Sequence, residues 1–337
     1  MVIGVGDERG PVPLRRWAIR WGVVVALILL AFAGTIVALN ATLYSAEGFV
    51  RSYLSALARR DVDAALQTPG VTLAGSASRE LLTADALGEL TGIEHVTSTT
   101  GADGTRIVEF AFELDGTPGS ASFTVEPAST RLWFFDSWAF EASPTGILEV
   151  VPQNDPEFDA NGVTLEATNG AAAASAYHVL TPGVFALGHD SQLLTADAEQ
   201  LIVLDPGSTT QATVGARANE VFIDLVQGEL DALLAGCATQ SVLQPTGCPF
   251  GESIANRVEG EPEWTIASSP VVTIVPGDTP GTWRVPETPG TAHLVVGVRS
   301  LFDGTRSTFD EDVPFTIGYL ITFPGDDRVV IDAVTGG

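Results

Sequence analysis

The sequence predicts a single transmembrane helix near the N-terminus, followed by a body of the α+β fold class. The first observation is an uncharged stretch of 26 residues, from Trp21 to Ala46. The second is that apolar residues recur at helical spacing just after this stretch and again near residue 220. The third is that strand-forming runs broken by Gly and Pro follow each of these helical segments. Helices followed by antiparallel strands are typical of α+β layers.

The uncharged stretch is long enough to cross a bilayer. A helix rises about 1.5 Å per residue, so about 20 residues cross a hydrocarbon core of about 30 Å. We therefore predict a tail at residues 1–20 and a transmembrane helix at 21–43. Arginines precede this helix and carboxylates dominate after it, which predicts a cell-membrane protein with a cytoplasmic N-terminus and an extracytoplasmic body. The residues expected at the inner interface are Arg15, Arg16, Trp17, Arg20 and Trp21.

A cleaved signal peptide is the alternative interpretation of this stretch. Its apolar core would be longer than usual, and the best cleavage site, Tyr44-Ser45-Ala46, begins with a bulky residue where a small one is required. We therefore favour an uncleaved, single-span anchor, with Tyr44 at the outer interface.

The charge is distributed unevenly along the chain. Residues 1–20 carry four Arg and two acids, net +2, and the remainder carries 40 acids and 12 Arg, net −28. The chain contains no lysine, which excludes a P-loop, a protein-kinase site and a Schiff-base site. The body is a polyanion, so we expect no binding to nucleic acid or to anionic lipid surfaces, because neither would gain cation contacts.

The body divides into three expected units. The first, residues 44–146, opens with a helix whose apolar stripe includes Tyr53 and continues with a short helix capped by Asp61. A further helical stretch is predicted at 79–90, before a hairpin that turns at Asp115-Gly116. The second unit, residues 147–208, reads as a small all-β module without a helix.

The third unit, residues 209–337, repeats the order of the first. A helix is predicted from about Glu220 to Cys237 with Asn219 as its cap, and strands follow it. The apolar residues expected on one face of this helix are Val221, Phe222, Leu225, Val226, Leu230, Leu233 and Leu234. A hairpin turn is expected near Asp303-Gly304. We interpret the first and third units as two copies of one architecture that flank the β module.

The segment from Val50 to Leu66 (VRSYLSALARRDVDAAL), with the aromatic strand that ends this unit, resembles the NTF2-like superfamily. The resemblance implies helices packed into the concave side of a curved antiparallel sheet, which leaves a cone-shaped pocket, in the first unit and less clearly in the third. The whole arrangement also resembles membrane-anchored exported proteins of GC-rich bacteria.

The superfamily includes ketosteroid isomerase, and Tyr53 falls where that enzyme has its oxyanion-stabilising tyrosine. The counterpart of its general base is missing, since residues 68–78 contain no carboxylate, and Ala121 stands near the position of its second acid. Enolisation needs a base and paired donors. Tyr53 is therefore expected to be a core residue with a hydrated hydroxyl.

Cys237 and Cys248 are expected to form a disulfide. They lie at a helix end and in a Pro/Gly loop, and an exported body meets an oxidising environment. A redox role is the alternative, but the chain has no CxxC motif and no cation adjoins either thiol.

The aromatic strand offers a candidate pocket for a hydrophobic ligand, formed by Tyr53, Trp133, Phe135 and Trp138. Core packing is the alternative role for these side chains. We expect no metal and no cofactor, because His178, His189 and Asp190 match no site geometry and the acidic turn at 303–312 lacks an EF-hand pattern.

These observations favour a non-catalytic, membrane-anchored protein that binds a ligand or an envelope protein. The alternative is an enzyme that uses an NTF2-like pocket to act on a small hydrophobic substrate, and it would need a carboxylate or histidine beside Tyr53. A signalling receptor is less well supported, because 20 cytoplasmic residues cannot hold an effector domain.

Overall fold

The computed structural model describes residues 14–42, 44–131, 135–323 and 330–333 of the chain. Helix α1 spans Leu14–Asn40. Within it, Trp17–Asn40 is long and apolar enough to cross a membrane, with a mean hydropathy of 2.8 over its most apolar part, and the rest of the protein buries none of that part. The predicted span at 21–43 is thus helical to Asn40, but the helix also includes Arg15, Arg16 and Arg20.

The first unit begins with two capped helices. The sequence predicts the cap of the second helix correctly and assigns no cap to the first. Helix α2 (Ala46–Ala58) is capped by Ser45, whose hydroxyl accepts a hydrogen bond from the Gly48 amide, and helix α3 (Val62–Leu66) by Asp61, which accepts from the Ala64 amide. These side chains satisfy amide groups that have no partner within the helix. The predicted stripe of α2 is confirmed, because Val50, Tyr53, Leu54 and Leu57 are buried.

Four antiparallel strands form one sheet in chain order, β1 (Leu90–Thr100), β2 (Arg106–Leu114), β3 (Thr117–Arg131) and β4 (Phe135–Phe140). The hairpin between β2 and β3 turns at Asp115-Gly116, as predicted. Both residues have positive φ values, 45° and 77°, which suit a two-residue turn between twisted strands.

The helix predicted at 79–90 is wrong, because the structure has turns there and then the start of β1. The physical reason lies in packing. Leu81 and Ala86 belong to the core of the β module, whereas Leu87 and Leu90 belong to the core of the first unit. An irregular path can supply side chains to two separate cores, and one amphipathic helix face cannot.

The β module contains two sheets. One has the order β12-β10-β9-β6-β7 and the other the order β11-β5-β8, with β5 and β11 parallel. Its strands are β5 (Thr145–Gln153), β6 (Glu157–Ala160), β7 (Val163–Glu166), β8 (Ser175–Leu180), β9 (Gly183–Asp190), β10 (Leu194–Val203), β11 (Thr209–Gly215) and β12 (Arg217–Ala218). Residues 147–208, all described, contain no helix, as predicted.

The third unit packs one helix on a six-stranded antiparallel sheet. Helix α4 spans Glu220–Ala238, and the predicted cap Asn219 accepts a hydrogen bond from the Phe222 amide. In the sheet β16 pairs with β13, β14, β15 and β17, and β17 pairs with β18. The strands are β13 (Arg257–Val258), β14 (Glu263–Ser268), β15 (Val275–Pro276), β16 (Thr282–Arg299), β17 (Arg306–Thr322) and β18 (Val330–Ala333).

The predicted apolar face of α4 is too wide. Phe222, Val226, Leu230 and Leu234 are buried, but Val221, Leu225 and Leu233 are 56%, 42% and 41% exposed. Residues that are four positions apart lie close to one line along a helix, and the sheet covers only that line. The other three residues lie beside it.

The predicted disulfide is confirmed, because Cys237 at the end of α4 is bonded to Cys248. The bridge closes a loop with a sequence separation of 11 residues. Restricting the unfolded chain in this way contributes about 3 kcal/mol to stability.

The first unit and the module are joined by the side chain of Asn161. Its amide nitrogen donates to the carbonyl oxygens of Ala86 (2.7 Å) and Val184 (2.8 Å), and its oxygen accepts from the Ala186 amide (2.7 Å). Asn161 has a φ of 51°, a left-handed conformation that Asn adopts more readily than most residues.

We predict that Asn161→Ala raises hydrogen exchange in β9, because it removes three hydrogen bonds and places Ala at a positive φ. The loss should correspond to about 2–4 kcal/mol of local opening free energy. Asn161→Gly should lose about 1 kcal/mol less, because Gly tolerates this φ. Asn169→Ala is the matched control, since its amide bonds only Ala174 within the module. Unchanged exchange in Asn161→Ala would contradict a joining role.

Candidate functional site

Tyr53, the first residue of the predicted pocket, lies in the protein core. Its side chain is fully buried. The ring packs edge-on against Phe140 and Phe123, with centroids 5.2 and 6.3 Å away. Its hydroxyl lies 2.9 Å from the carbonyl oxygens of both Pro144 and Thr181, and it donates its proton to this pair.

Burial governs the chemistry of this tyrosine. Desolvation raises the pKa of Tyr53 far above its ordinary value of 10, although the hydrogen bond to the Thr181 carbonyl opposes the shift. The hydroxyl therefore stays neutral, and the protein backbone rather than water is its partner. The prediction that the Tyr53 hydroxyl is hydrated is wrong. The hydroxyl bonds the carbonyls of Pro144 and Thr181, whose segments cover α2 and take the place of water.

Of the remaining pocket residues, only the side chain of Trp138 lies among the described ones, and it is partly buried on β4. The backbone of Phe135 begins β4, and Trp133 lies outside the described residues. Trp138 instead lines a separate cleft of about 510 Å³ between α2, α3 and β4.

This cleft, which we name the α2–α3–β4 cleft, lies where the chain leaves α1. The indole nitrogen of Trp138 donates a 2.9 Å hydrogen bond to the carbonyl of Tyr44. The lining residues are Tyr44, Phe49, Ser52, Ala64, Gln67, Thr68, Pro69, Ala128, Asp136, Ser137 and Trp138.

Two backbone features shape the wall formed by β3 and β4. Gly70 has a φ of 85° and lies directly against the backbone of Phe140. A β-carbon at this position would clash with that backbone. Because Gly70 has none, residues 67–70 can lie on β4. Ala128 sits at an irregularity in the register between β3 and β4. Such bulges redirect the strand at the edge of a site.

The cleft combines aromatic rings with polar side chains. Phe49 packs on Phe140 at 5.0 Å, Tyr44 and Trp138 also line the cleft, and Ser52, Gln67, Thr68, Asp136 and Ser137 supply its polar groups. Asp136 is the one charged residue among its described lining residues. The Ser52 hydroxyl already donates to the Phe49 carbonyl at 2.7 Å. The arrangement suits a flat apolar group with one donor facing Asp136.

A second groove of about 610 Å³, lined in part by Glu47, Arg51 and His95, lies beside the start of α2. The Arg51 guanidinium lies 5.2 Å from the centre of the Phe110 ring and donates to the Ile93 carbonyl at 3.1 Å. Partial burial raises the pKa of Glu47, but hydrogen bonds from Ser98 and Ser45 and the nearby His95 outweigh it and lower that pKa overall.

His95 and Ser98 in this groove do not form a hydrolase triad. The His95 Nε2 atom lies 2.8 Å from the Ser98 hydroxyl, and Ser98 also bonds Glu47. The hydroxyl thus sits between the imidazole and the carboxylate, whereas a nucleophilic serine needs the imidazole in the middle. Sequence reasoning missed this groove because its members come from segments distant along the chain.

The histidines of the β module have structural partners. His189 lies 2.9 Å from the Glu157 carbonyl through Nδ1 and 3.0 Å from the Ser191 hydroxyl through Nε2. Burial, and then the charge of Arg79, lower the pKa of His178. No group of three metal-ligating side chains occurs among the described residues.

The acidic turn at 303–312 has a partner in the neighbouring strand. His293 on β16 lies 2.8 Å from Asp312 through Nδ1 and 3.1 Å from Asp310 through Nε2. Both ring nitrogens can donate only in the imidazolium form. The hydrogen bond to Asp312 and the charges of both carboxylates therefore raise the pKa of His293 above 6.5.

We predict that a proton NMR titration gives His293 a pKa above 6.5, and that Asp310→Asn/Asp312→Asn returns it towards that value. Because the folded pKa is raised, the pairing stabilises the protein fully below the unfolded pKa and is lost as the pH rises through the folded pKa. The melting temperature of the native chain should therefore fall towards that of His293→Gln over this range. A folded pKa at or below 6.5 would contradict the pairing.

Comparison of the chain with known protein families, with curated proteins and with solved structures finds no match. The resemblance of residues 50–66 to the NTF2-like superfamily therefore stays a prediction from the sequence pattern. The two helices and the four-stranded antiparallel sheet in residues 46–140 confirm the coarser prediction, an α+β fold.

Proposed function

We propose that this chain is a single-pass membrane protein that displays its acidic body outside the cytoplasm and binds a small apolar ligand in the α2–α3–β4 cleft. The observation that carries this proposal is the position of the cleft. An apolar helix that no other part of the protein covers leads directly into Tyr44, a wall of that cleft.

Two features support an extracytoplasmic body. The arginines at 15, 16 and 20 lie at the N-terminal end of α1, before its uncharged part, and cytoplasmic flanks carry such an excess of cations. The Cys237–Cys248 disulfide suits the oxidising side of the membrane.

Binding without turnover is favoured by the chemistry of the cleft lining. Proton transfer needs a base within hydrogen-bond reach of the substrate, usually supported by a second group. The carboxylate of Asp136 has no histidine, cysteine or arginine beside it among the residues that line the cleft. The alternative enzyme would centre on Tyr53, but its neutral hydroxyl faces two backbone carbonyls.

Photolabelling of the full chain in lipid nanodiscs with 4-aminobenzophenone, a neutral aromatic probe whose amino group can donate to Asp136, tests this proposal. We expect crosslinks to map to residues 44–69 and 136–140. Ala64→Phe and Gln67→Trp, which fill the cleft from α3 and its C-terminal end, should lower labelling there about tenfold by occluding the apolar site.

Ala232→Phe is the matched control, because Ala232 is exposed on α4 far along the chain from the cleft. This variant should label like the native chain. Labelling that is unchanged in both filling variants would contradict a binding cleft, and chemical conversion of a bound ketone or alcohol probe would favour the enzyme.

A further inference from the structure

The tip of the hairpin between β16 and β17 carries Phe302, the most exposed large apolar side chain of the described body, next to the exposed Leu301. Phe302 is 100% exposed and Leu301 is 73% exposed. These two residues are adjacent at the end of the longest strand pair, β16 and β17. They contribute nothing to the core of the third unit.

The backbone of this tip is held in one conformation. The Ser300 amide donates to the Thr305 carbonyl at 2.9 Å, and the Gly304 amide donates to the Ser300 carbonyl at 3.1 Å. The Ser300 hydroxyl accepts from the amide of Phe302, and the Asp303 carboxylate accepts from the amide of Thr305. The apolar side chains are therefore displayed by a preorganised turn, which lowers the entropy cost of binding.

Three arginines lie immediately behind the apolar tip. Arg299 pairs directly with Arg306 across β16 and β17, and with Arg257 across β16 and β13. Arg299 also folds over the turn, since its Nε atom donates to the Gly304 carbonyl at 3.3 Å. These are three of only twelve arginines beyond residue 20. We name Leu301, Phe302 and these three arginines the hairpin tip.

This placement of like charges disfavours folding. Like charges directly opposite one another in a sheet destabilise it, and a body of net −28 offers many carboxylates that could have separated them. Glu259 alone bridges two of the arginines, at 3.7 Å from Arg299 and 2.9 Å from Arg306. With Asp303 included, the tip holds three cations against two carboxylates, so it is a local positive site on a negative body.

We propose that the hairpin tip binds an anionic phospholipid surface, with Leu301 and Phe302 inserted below the headgroups and the three arginines on the phosphates. The tip has apolar side chains at its end and cationic side chains behind them. A lipid interface has the matching layers, apolar acyl chains below anionic headgroups. An anionic surface would repel the acidic remainder of the body and so turn the hairpin tip towards the lipid. This repulsion acts only on parts of the body close to the surface, because charges interact over only about 8 Å in physiological salt.

The small area of the tip favours lipid over a folded partner. A stable protein interface buries about 800 Å² on each partner, and two apolar side chains cannot supply this. A bilayer needs no matching pocket. The tip therefore departs from the expectation, drawn from the overall charge, that anionic lipid surfaces are poor partners for this chain.

Vesicle flotation tests this proposal. The full chain in phosphatidylcholine nanodiscs is mixed with vesicles of phosphatidylcholine alone or with added phosphatidylglycerol. We expect binding only to the anionic vesicles and a decrease of about tenfold or more in both Leu301→Ser/Phe302→Ser and Arg299→Gln/Arg306→Gln. Val271→Ser, which removes an apolar side chain that is 75% exposed elsewhere, and Arg59→Gln/Arg79→Gln, which matches the charge change, should bind like the native chain.

Leu301 and Phe302 are exposed, and the ion pairs of Arg299 and Arg306 with Glu259 lie at the surface, so these variants should change the melting temperature little. Equal binding to both kinds of vesicle, or equal loss in the tip and control variants, would overturn the proposal. A change in oligomeric state in Leu301→Ser/Phe302→Ser without any change in vesicle binding would also overturn it and would identify a second copy of the chain as the partner.

Discussion

An apolar helix whose most apolar part the rest of the protein does not bury is the constraint on which this structure depends. Side chains such as Leu27, Ile28 and Leu30 along α1 are more than half exposed, and leaving a large apolar side chain in water costs about 1.5–3 kcal/mol. A lipid bilayer removes this cost along the whole helix. In the proposed function, the bilayer holds the body of the protein where a cleft beside the end of the helix can receive molecules that partition into or near lipid.

The connection between anchor and body is made by specific contacts rather than by a free linker. Trp138 on β4 bonds the carbonyl of Tyr44, and Ser45 then caps α2. Tyr53, about two turns into α2, uses its hydroxyl to hold Pro144, which leads into the β module, and Thr181 in the turn between β8 and β9. The aromatic residues of this region therefore divide their roles, with Tyr53 stabilising the core and Trp138 lining the cleft.

Local signals in the sequence were sufficient for helices α1 to α4, the caps Asp61 and Asn219, the Asp115-Gly116 turn and the disulfide, because each depends on residues close together along the chain. The segment 79–90 was mispredicted as a helix, because its leucines serve two cores that the sequence does not reveal. The cleft was predicted only through Trp138, since Gln67 and Ala128 reach it by long-range packing. The arginines of the hairpin tip meet through strand register, which composition alone could not predict.

Protease treatment of intact cells, followed by mass spectrometry of the membrane fraction, tests the anchor most directly. The account predicts that the protease removes the body from the outside and that residues 14–40 stay in the membrane with the N-terminal tail still attached. A body that is protected in intact cells, or a mature chain that begins beyond Ala46 and is released from the membrane, would contradict the account.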